Sequence, residues 1–549
     1  MFHALNMPYY LGLDSSTQSL TAIIIDADER RVVFESSLAF DEALPQYGTD
    51  HGVLPRSAPD VALSSPVMWA DALDQMMGRV AASGLDLPRL AAISGSAQQH
   101  GSVYLNASAS AALASLDPAQ PLGGQIAPLL SRAVSPIWMD SSTAEECAEI
   151  TSAAGGAERL SRHTGSRAFE RFTGPQIRKF YKGEPEAYHA TARIHLVSSF
   201  LASLLAGRDA PVDPGDGSGM NLMDLATGDW WSPAVEGTAP DLVSKLPAVR
   251  PAFSIAGTLS PYWQQRHRLP AAQVITWSGD NPCSLIGTGL VREGRVAISL
   301  GTSDVIFGLM REPRVDATGT GHVFGAPTGD FMGLTVFKNG SIARERVRDM
   351  FGMSWPEFSH ALDATPPGNI GRIFLPWFEP EITPPVSTPG VHRYGLAEGD
   401  APGHVRGVVE AQLMALARHS RWMGVEVDTI YATGGASANV QILQVMADVF
   451  GADVYRFEVA NSAALGAALR AWHGERHAAG APIPWDDVVS GFAEPVGARR
   501  LRSRGALHDV YLDLMRVHAA CEAHALGNGP DPTPWVQELA ARSQELGGW

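Results

Sequence analysis

Cysteine is scarce in this sequence: three in 549 residues, at Cys147, Cys283 and Cys521. They are far apart and odd in number, which excludes a disulfide framework and a CxxC-type metal site. Their scarcity points to a reducing compartment. Positive charge is in deficit, with 41 basic against 58 acidic side chains and a net charge of −17. That balance speaks against nucleic acid or an anionic membrane as the main partner. Long apolar runs are missing too; stretches such as Ala22-Ile-Ile-Ile25 are far too short to span a bilayer. The opening Met1-Phe-His-Ala-Leu-Asn-Met-Pro8 has no basic region followed by an apolar run, so no signal peptide is expected. A cytoplasmic protein that avoids membranes is the expectation. No Gly-x-x-x-x-Gly-Lys-Ser/Thr occurs, nor His-Glu-x-x-His, nor Gly-x-Ser-x-Gly, so P-loop, zincin and nucleophile-elbow chemistries are set aside. Gly319-Thr-Gly-His-Val-Phe-Gly325 nearly fits a dinucleotide fingerprint, but its spacing is off and no strong strand precedes it.

What is present is enough apolar sequence for two cores, since single cores stop growing at about 250–300 residues. Tyr9 to Asp14 reads as a strand, Ser15-Ser-Thr-Gln18 as a tight turn, and Leu20 to Ile25 as the returning strand. Hydroxyls and backbone N–H groups crowd that turn, a setting that can cradle a phosphate, with Asp14 placed to hold Mg²⁺. Arg295 to Phe307 repeats the pattern: apolar strand, small-hydroxyl turn, apolar strand. Two such hairpins, one early in each half, predict an internal structural repeat gripping a polyphosphate from both sides.

Loops between predicted strands and helices carry the remaining chemistry. Ser64 or Ser65 caps a helix that begins at Pro66. Leu90 to Ser94 is a strand running into Gly95-Ser-Ala-Gln-Gln-His100-Gly101, whose polar side chains suit a polyhydroxylated ligand. Pro136 to Asp140 reads as a short strand ending in an acid, and Ser142 to Glu145 has capping-box spacing. Arg171, in the loop Gly165–Gly174, is placed to donate to ligand oxygens. Ile194 to Leu205 reads as an apolar helix closed by Gly207, and residues 213–219 as a turn. Gln273 to Trp277 has the β-branched content of a buried strand, and Pro282 suits the first turn of the next helix, with Asn281 or Asp280 as cap. Asp280 then stands where a strand ends and a helix begins, the usual ligand position in open α/β sheets. The segment 376–402, rich in proline and glycine, reads as a surface loop. Asp428 to Thr433 is a strand ending in Gly434-Gly435, with a helix from Asn439, so that a helix N-terminus is aimed at a ligand.

Together these stretches form a familiar set. Gly12-Leu-Asp14-Ser-Ser-Thr17, Ser299-Leu-Gly-Thr-Ser303 and Ala432-Thr-Gly-Gly-Ala436 resemble the phosphate and adenosine loops of the sugar kinase/actin/heat-shock-chaperone superfamily. Ser278-Gly-Asp280-Asn281 resembles the catalytic stretch of the FGGY carbohydrate kinases. Gln98-Gln-His100-Gly101, Pro136-Ile-Trp-Met-Asp140, the Gly165–Gly174 loop and Phe337-Lys-Asn-Gly340 are similar to the xylulose kinases within that family. The resemblance implies an α/β protein of two ribonuclease-H-like (actin/hexokinase-type) domains with a ligand cleft between them. Their expected bounds are 9–287 and 288–480, followed by a helical tail at 481–549. It implies ATP-dependent phosphorylation of D-xylulose, by a monomer or homodimer. Asp280 would be the base, with Asn281, His100 and Arg171 on the other sugar oxygens. Asp14 and Thr17 would serve Mg²⁺ and the transferring phosphate, with Gly301 and Thr302 opposite. Gly434, Gly435, Asn439 and Trp355 would line the adenosine site. Ser141-Ser-Thr143 follows Asp140 where short-form bacterial enzymes carry an arginine, so Asp140 is assigned no role. Two readings stay open beside this one: a kinase of the same family for ribulose, glycerol or gluconate, and an actin-like ATP-binding regulator.

Overall fold

The computed structural model describes residues 8–457, 459–495 and 500–545. The opening seven residues and the last four of the tail, both subjects of expectations above, lie outside the described residues.

Two seven-stranded sheets organise the chain. In the first, Arg31–Ala39, Ser19–Asp26 and Tyr9–Ser15 form an antiparallel meander. Leu90–Ala97 then runs parallel to Tyr9–Ser15, and Gln273–Ile275 parallel to Leu90–Ala97. The two central strands are almost wholly buried because helices cover both faces. One of these is Pro66–Ala81, begun by Pro66 and capped by Ser65 Oγ accepting from Met68 N. The other is Ser462–Ala478, which the chain makes only after the second sheet.

The second sheet repeats the plan. Phe331–Phe337, Asp304–Met310 and Arg295–Leu300 are antiparallel, and Thr429–Thr433 lies parallel to Arg295–Leu300. The expected repeat is therefore present, with each hairpin beside a parallel strand whose carboxyl end opens into a ligand-type loop.

The lobes are joined by a close helix crossing. A Cβ on Gly287 of the Asp280–Gly287 helix would lie 1.8 Å from the Ser462 carbonyl oxygen, and one on Gly466 would lie 1.9 Å from that of Cys283. Gly12 lets Ser462–Ala478 settle on its strand, since a Cβ there would lie 2.1 Å from Ala464 O.

Several local expectations are corrected. Residues 194–196 belong to the strand Thr191–Leu196, paired with Ser102–Asn106, and the helix starts only at Val197; a short apolar run does not separate the two by periodicity. Of the expected 136–140 strand only Pro136 is in a ladder, as the end of Ser135–Pro136. The helix after it starts at Ala144 without a side-chain cap: Ser142 is drawn to the Asp140 carboxylate, and the Thr143 hydroxyl at the N-cap donates to Glu170 O at 2.6 Å. The 376–402 segment contributes a strand, Gly390–Tyr394, paired with Ile373–Trp377. Its Glu381 and Ile382 face the central cleft.

Candidate functional site

Between the sheets lies a cleft of 840 Å³. One wall carries His100, Arg171, Asp280 and Asn281 from the first lobe; the other carries Val305, Leu334 and Val336 from the second sheet. All four predicted sugar-side residues thus share one cavity, and the central acid lies in the gap between the halves.

Asp280 owes its position to a broken strand. Ser278–Gly279 pairs with the end of Leu90–Ala97, and the helix begins at the next residue. The N-cap is Gly279, with no side-chain cap bond, so neither Asp280 nor Asn281 plays the expected capping part. The Asp280 carboxylate instead accepts from Asn281 N at 2.9 Å and Asn281 Nδ2 at 3.1 Å. Burial, then the neighbouring Asp14 carboxylate, pushes its pKa up to about 7. Such a group is half ionised near neutral pH, as a general base requires.

Asn281 is steadied from below: its Nδ2 also donates to Gln99 Oε1 at 2.8 Å, and Gln99 Nε2 donates to Gly215 O at 3.3 Å. His100 follows in the left-handed backbone region at φ +73°, a strained conformation for a side chain other than glycine. Its Nδ1–H donates to Gly219 O at 2.7 Å, which turns Nε2 into an acceptor. Burial and the Arg171 charge hold its pKa at about 3, so the ring is neutral.

Arg171 lies over the rings of Phe169 and Phe172, 5.1 and 5.3 Å from their centroids. Its Nη2 donates to His322 Nε2 at 3.1 Å. Burial and Arg171 keep His322 neutral, and Nδ1 donates to Ser166 Oγ at 3.1 Å. No carboxylate ion pair of Arg171 occurs among the described residues, which leaves its remaining N–H groups for a ligand.

The first hairpin abuts this set. Asp14 Oδ1 accepts from Ser96 Oγ of the adjacent parallel strand at 2.7 Å, and burial raises its pKa. A carboxylate close enough to raise the pKa of a second one suits a divalent cation between them, and an oxygen donor such as Asp14 fits Mg²⁺. Thr17 Oγ1 accepts from the Trp138 indole N–H at 2.9 Å, which ties the hairpin to the cleft rim.

Opposite, Gly301 and Thr302 form the turn of the second hairpin, braced by Ser341 N donating to Gly301 O at 2.8 Å. Beneath it, the bidentate pair Arg344–Asp304 is buried, with side chains 3% and 1% exposed. Gly434 takes φ +82° and ψ 170°, a region reserved for glycine, and a Cβ would lie 2.7 Å from Leu300 O. Gly435 beside it is exposed and open. Asn439 caps the Val440–Phe450 helix through Oδ1, and its Nδ2 donates to Ser359 Oγ at 2.7 Å. Ser359 belongs to the helix that begins with the exposed Trp355. The second group therefore divides into Gly301, Thr302 and Gly434 about Leu300, and Trp355 with Asn439 about Ser359.

Sequence reasoning missed several cleft residues. His322 sits in the Gly319–Gly325 stretch that was set aside as a failed fingerprint, and only the fold brings it to Arg171. Trp138 stands in the Pro136–Asp140 stretch of the resemblance, which gives it no role of its own. Asp140 also lines the cleft, with its carboxylate accepting from Ala62 N at 3.0 Å and Gln176 Nε2 at 2.8 Å.

Two like-built lobes, a hairpin on each wall and an acid between them define a sugar kinase of the actin/hexokinase-like fold. Residues 126–287 and 296–475 match the N- and C-terminal domains of the FGGY family of carbohydrate kinases. The chain is 42% identical over 534 residues to xylulose kinase of Mus musculus, covering 95% of both chains. It is 43% identical over 488 residues to xylulose kinase 2 of Arabidopsis thaliana, covering 85% of this chain and 87% of that one. The crystal structure of xylulose kinase from Rhodospirillum rubrum superimposes with a TM-score of 0.77 at 19% identity, covering 94% of this chain and 99% of that one. The chain belongs to the FGGY family of carbohydrate kinases.

Proposed function

We propose that this enzyme transfers the γ-phosphoryl group of ATP to the terminal hydroxyl of D-xylulose, giving D-xylulose 5-phosphate and ADP. Asp280 takes the hydroxyl proton as the sugar oxygen bonds to phosphorus and the bond to ADP breaks. His100 Nε2 accepts from one sugar hydroxyl, and Arg171 and Asn281 hold other oxygens. Backbone N–H groups of the two hairpins, at Thr17 and Thr302, face the phosphates, with Gly301 shaping the second turn and Asp14 as the anchor for Mg²⁺. That ion would neutralise phosphate charge. Gly434, Gly435, Trp355 and Asn439 flank the adenosine. Phosphoryl transfer is mostly positioning and charge neutralisation, and a closed cleft keeps water from taking the phosphate.

The observation that carries this reading is the Asp280 carboxyl, pushed up to about 7, in one cavity with His100, Arg171 and Asn281. An actin-like regulator has no use for that set, and the named relatives act on xylulose. Three unpaired, buried cysteines suit a reducing cytoplasm. No helix among the described residues is long and apolar enough to cross a membrane. The test is ADP release, followed by a coupled assay, with D-xylulose, D-ribulose, glycerol and gluconate. D-Xylulose is expected to give the highest kcat/KM. A higher value for another polyol overturns the substrate, and sugar-independent ATP turnover alone overturns the kinase.

A further inference from the structure

The helix that joins the lobes carries an arginine into the centre of the protein. Arg470 lies in Ser462–Ala478 and is 1% exposed. Its guanidinium meets the first sheet where the strand leading to Asp280 is interrupted. Gln273–Ile275 and Ser278–Gly279 both pair with Leu90–Ala97, and Thr276 and Trp277 between them leave the ladder. The Trp277 ring fills the space over Gly95, where a Cβ would lie 2.0 Å from the indole.

An interruption in a buried strand leaves backbone groups that must be satisfied by something else. Arg470 Nη2 donates to the Thr276 carbonyl at 2.9 Å, and Nη1 to that of Gly95 at 3.3 Å. Nη2 also pairs with Asp213 Oδ2 at 3.2 Å, and the Asp213 side chain has no exposure. Asp213 Oδ1 accepts from Ser278 Oγ at 2.8 Å. Ser278 stands two residues before Asp280, so the guanidinium holds the interrupted segment at Thr276 directly and at Ser278 through Asp213. A buried ion pair is a weak source of stability compared with apolar packing, so stability alone is a poor reason to keep an arginine here. Its planar fork, however, holds three carbonyls, those of Gly95, Thr276 and Ala252, and a carboxylate in one fixed arrangement.

We propose that Arg470 is a positioning residue for phosphoryl transfer. Through Thr276 and Asp213 it fixes the interrupted strand so that Asp280 faces the sugar, and it ties that orientation to the helix joining the lobes. This rests on Asp280 acting as the base.

Two variants test it. Arg470→Lys keeps the charge and loses the fork. Arg470→Met combined with Asp213→Asn leaves no ion buried and alone, which protects folding. Both are expected to lower kcat for D-xylulose by about 10- to 100-fold, the lysine variant less, because small misplacements of a reacting group are costly. The sugar KM should change little, since His100 and Arg171 are untouched. A role confined to structure would instead lower Tm and leave kcat alone. Wild-type kcat in the folded double variant overturns the proposal. Should that variant not fold, full kcat in Arg470→Lys overturns it as well. Asp280→Asn, measured beside them, keeps the two readings apart. If it turns over at the full rate, the base assignment falls. If it is inactive while the Arg470 variants run at full rate, only the role of Arg470 falls.

Discussion

Asp280 shows how much of this chemistry a single side chain can hold. Its carboxylate is retained beside a second one, Asp14, and both pKa values are raised, chiefly by burial. Asp280→Asn keeps the shape and still accepts from Asn281 N, so the fold should survive with an unchanged Tm. Turnover should drop by at least about 10²–10⁴-fold, the contribution of a positioned base. A variant at near wild-type rate would show that the proton leaves by another route. The same reading fixes a pH dependence. The base works ionised, so kcat/KM for the sugar should fall as pH drops through the Asp280 pKa, at or below about 7, because a cation beside Asp14 lowers it. A flat profile between about pH 5 and 8 would contradict it. The type and place of this residue were legible because strand, small residue, acid and helix-starting proline follow one another in sequence. Its neighbours His322 and Arg470 were not: a lone histidine and an arginine inside an alanine-rich helix have no local signal, and their meaning comes from residues 151 and 257 positions away.

At the level of elements, the hairpins and the strand–loop–helix turns were readable because their rules are local. Period, turn chemistry and caps lie within a dozen residues. Misreadings fell where tertiary demand outweighed local preference. Ser142 abandoned a cap for Asp140, and residues 194–196 joined a strand because Ser102–Asn106 offered them a ladder. The Gly434-Gly435 turn separates two uses of glycine. Gly434 needs its backbone conformation and has Leu300 O against it, whereas nothing lies within 4 Å of a Cβ on Gly435. Gly434→Ala should push the turn away from the second hairpin and raise the ATP KM by about tenfold or more, a cost of roughly 1–3 kcal/mol. The sugar KM should hold. Gly435→Ala should leave Tm unchanged. Equal ATP KM values for Gly434→Ala and wild type would show that this turn does not shape the nucleotide site.

For the whole molecule, duplication explains the layout and asymmetry explains the chemistry. Both sheets offer a hairpin beside a parallel strand. Asp14 pairs with Thr21 and Ser96 in the first, and Ser299 pairs with Val305 and Thr433 at the corresponding place in the second. At this position one wall carries a carboxylate where the other carries a hydroxyl, so the hairpins differ in the charge they offer. The two walls are kept in relation by the crossing of Asp280–Gly287 with Ser462–Ala478, where glycines let backbones touch. This crossing begins at the proposed base itself, so its spacing sets where Asp280 stands relative to the second hairpin. Gly466→Ala puts a methyl group 1.9 Å from the Cys283 carbonyl oxygen, and only backbone movement can relieve that. The expected cost is about 1–3 kcal/mol or more from overpacking, seen as a lower Tm. Any folded fraction should show a lower kcat with both substrates, because the lobes no longer meet in register. A Gly466→Ala enzyme with wild-type Tm and kcat would mean that the crossing is slack, and that the lobes are aligned by other contacts.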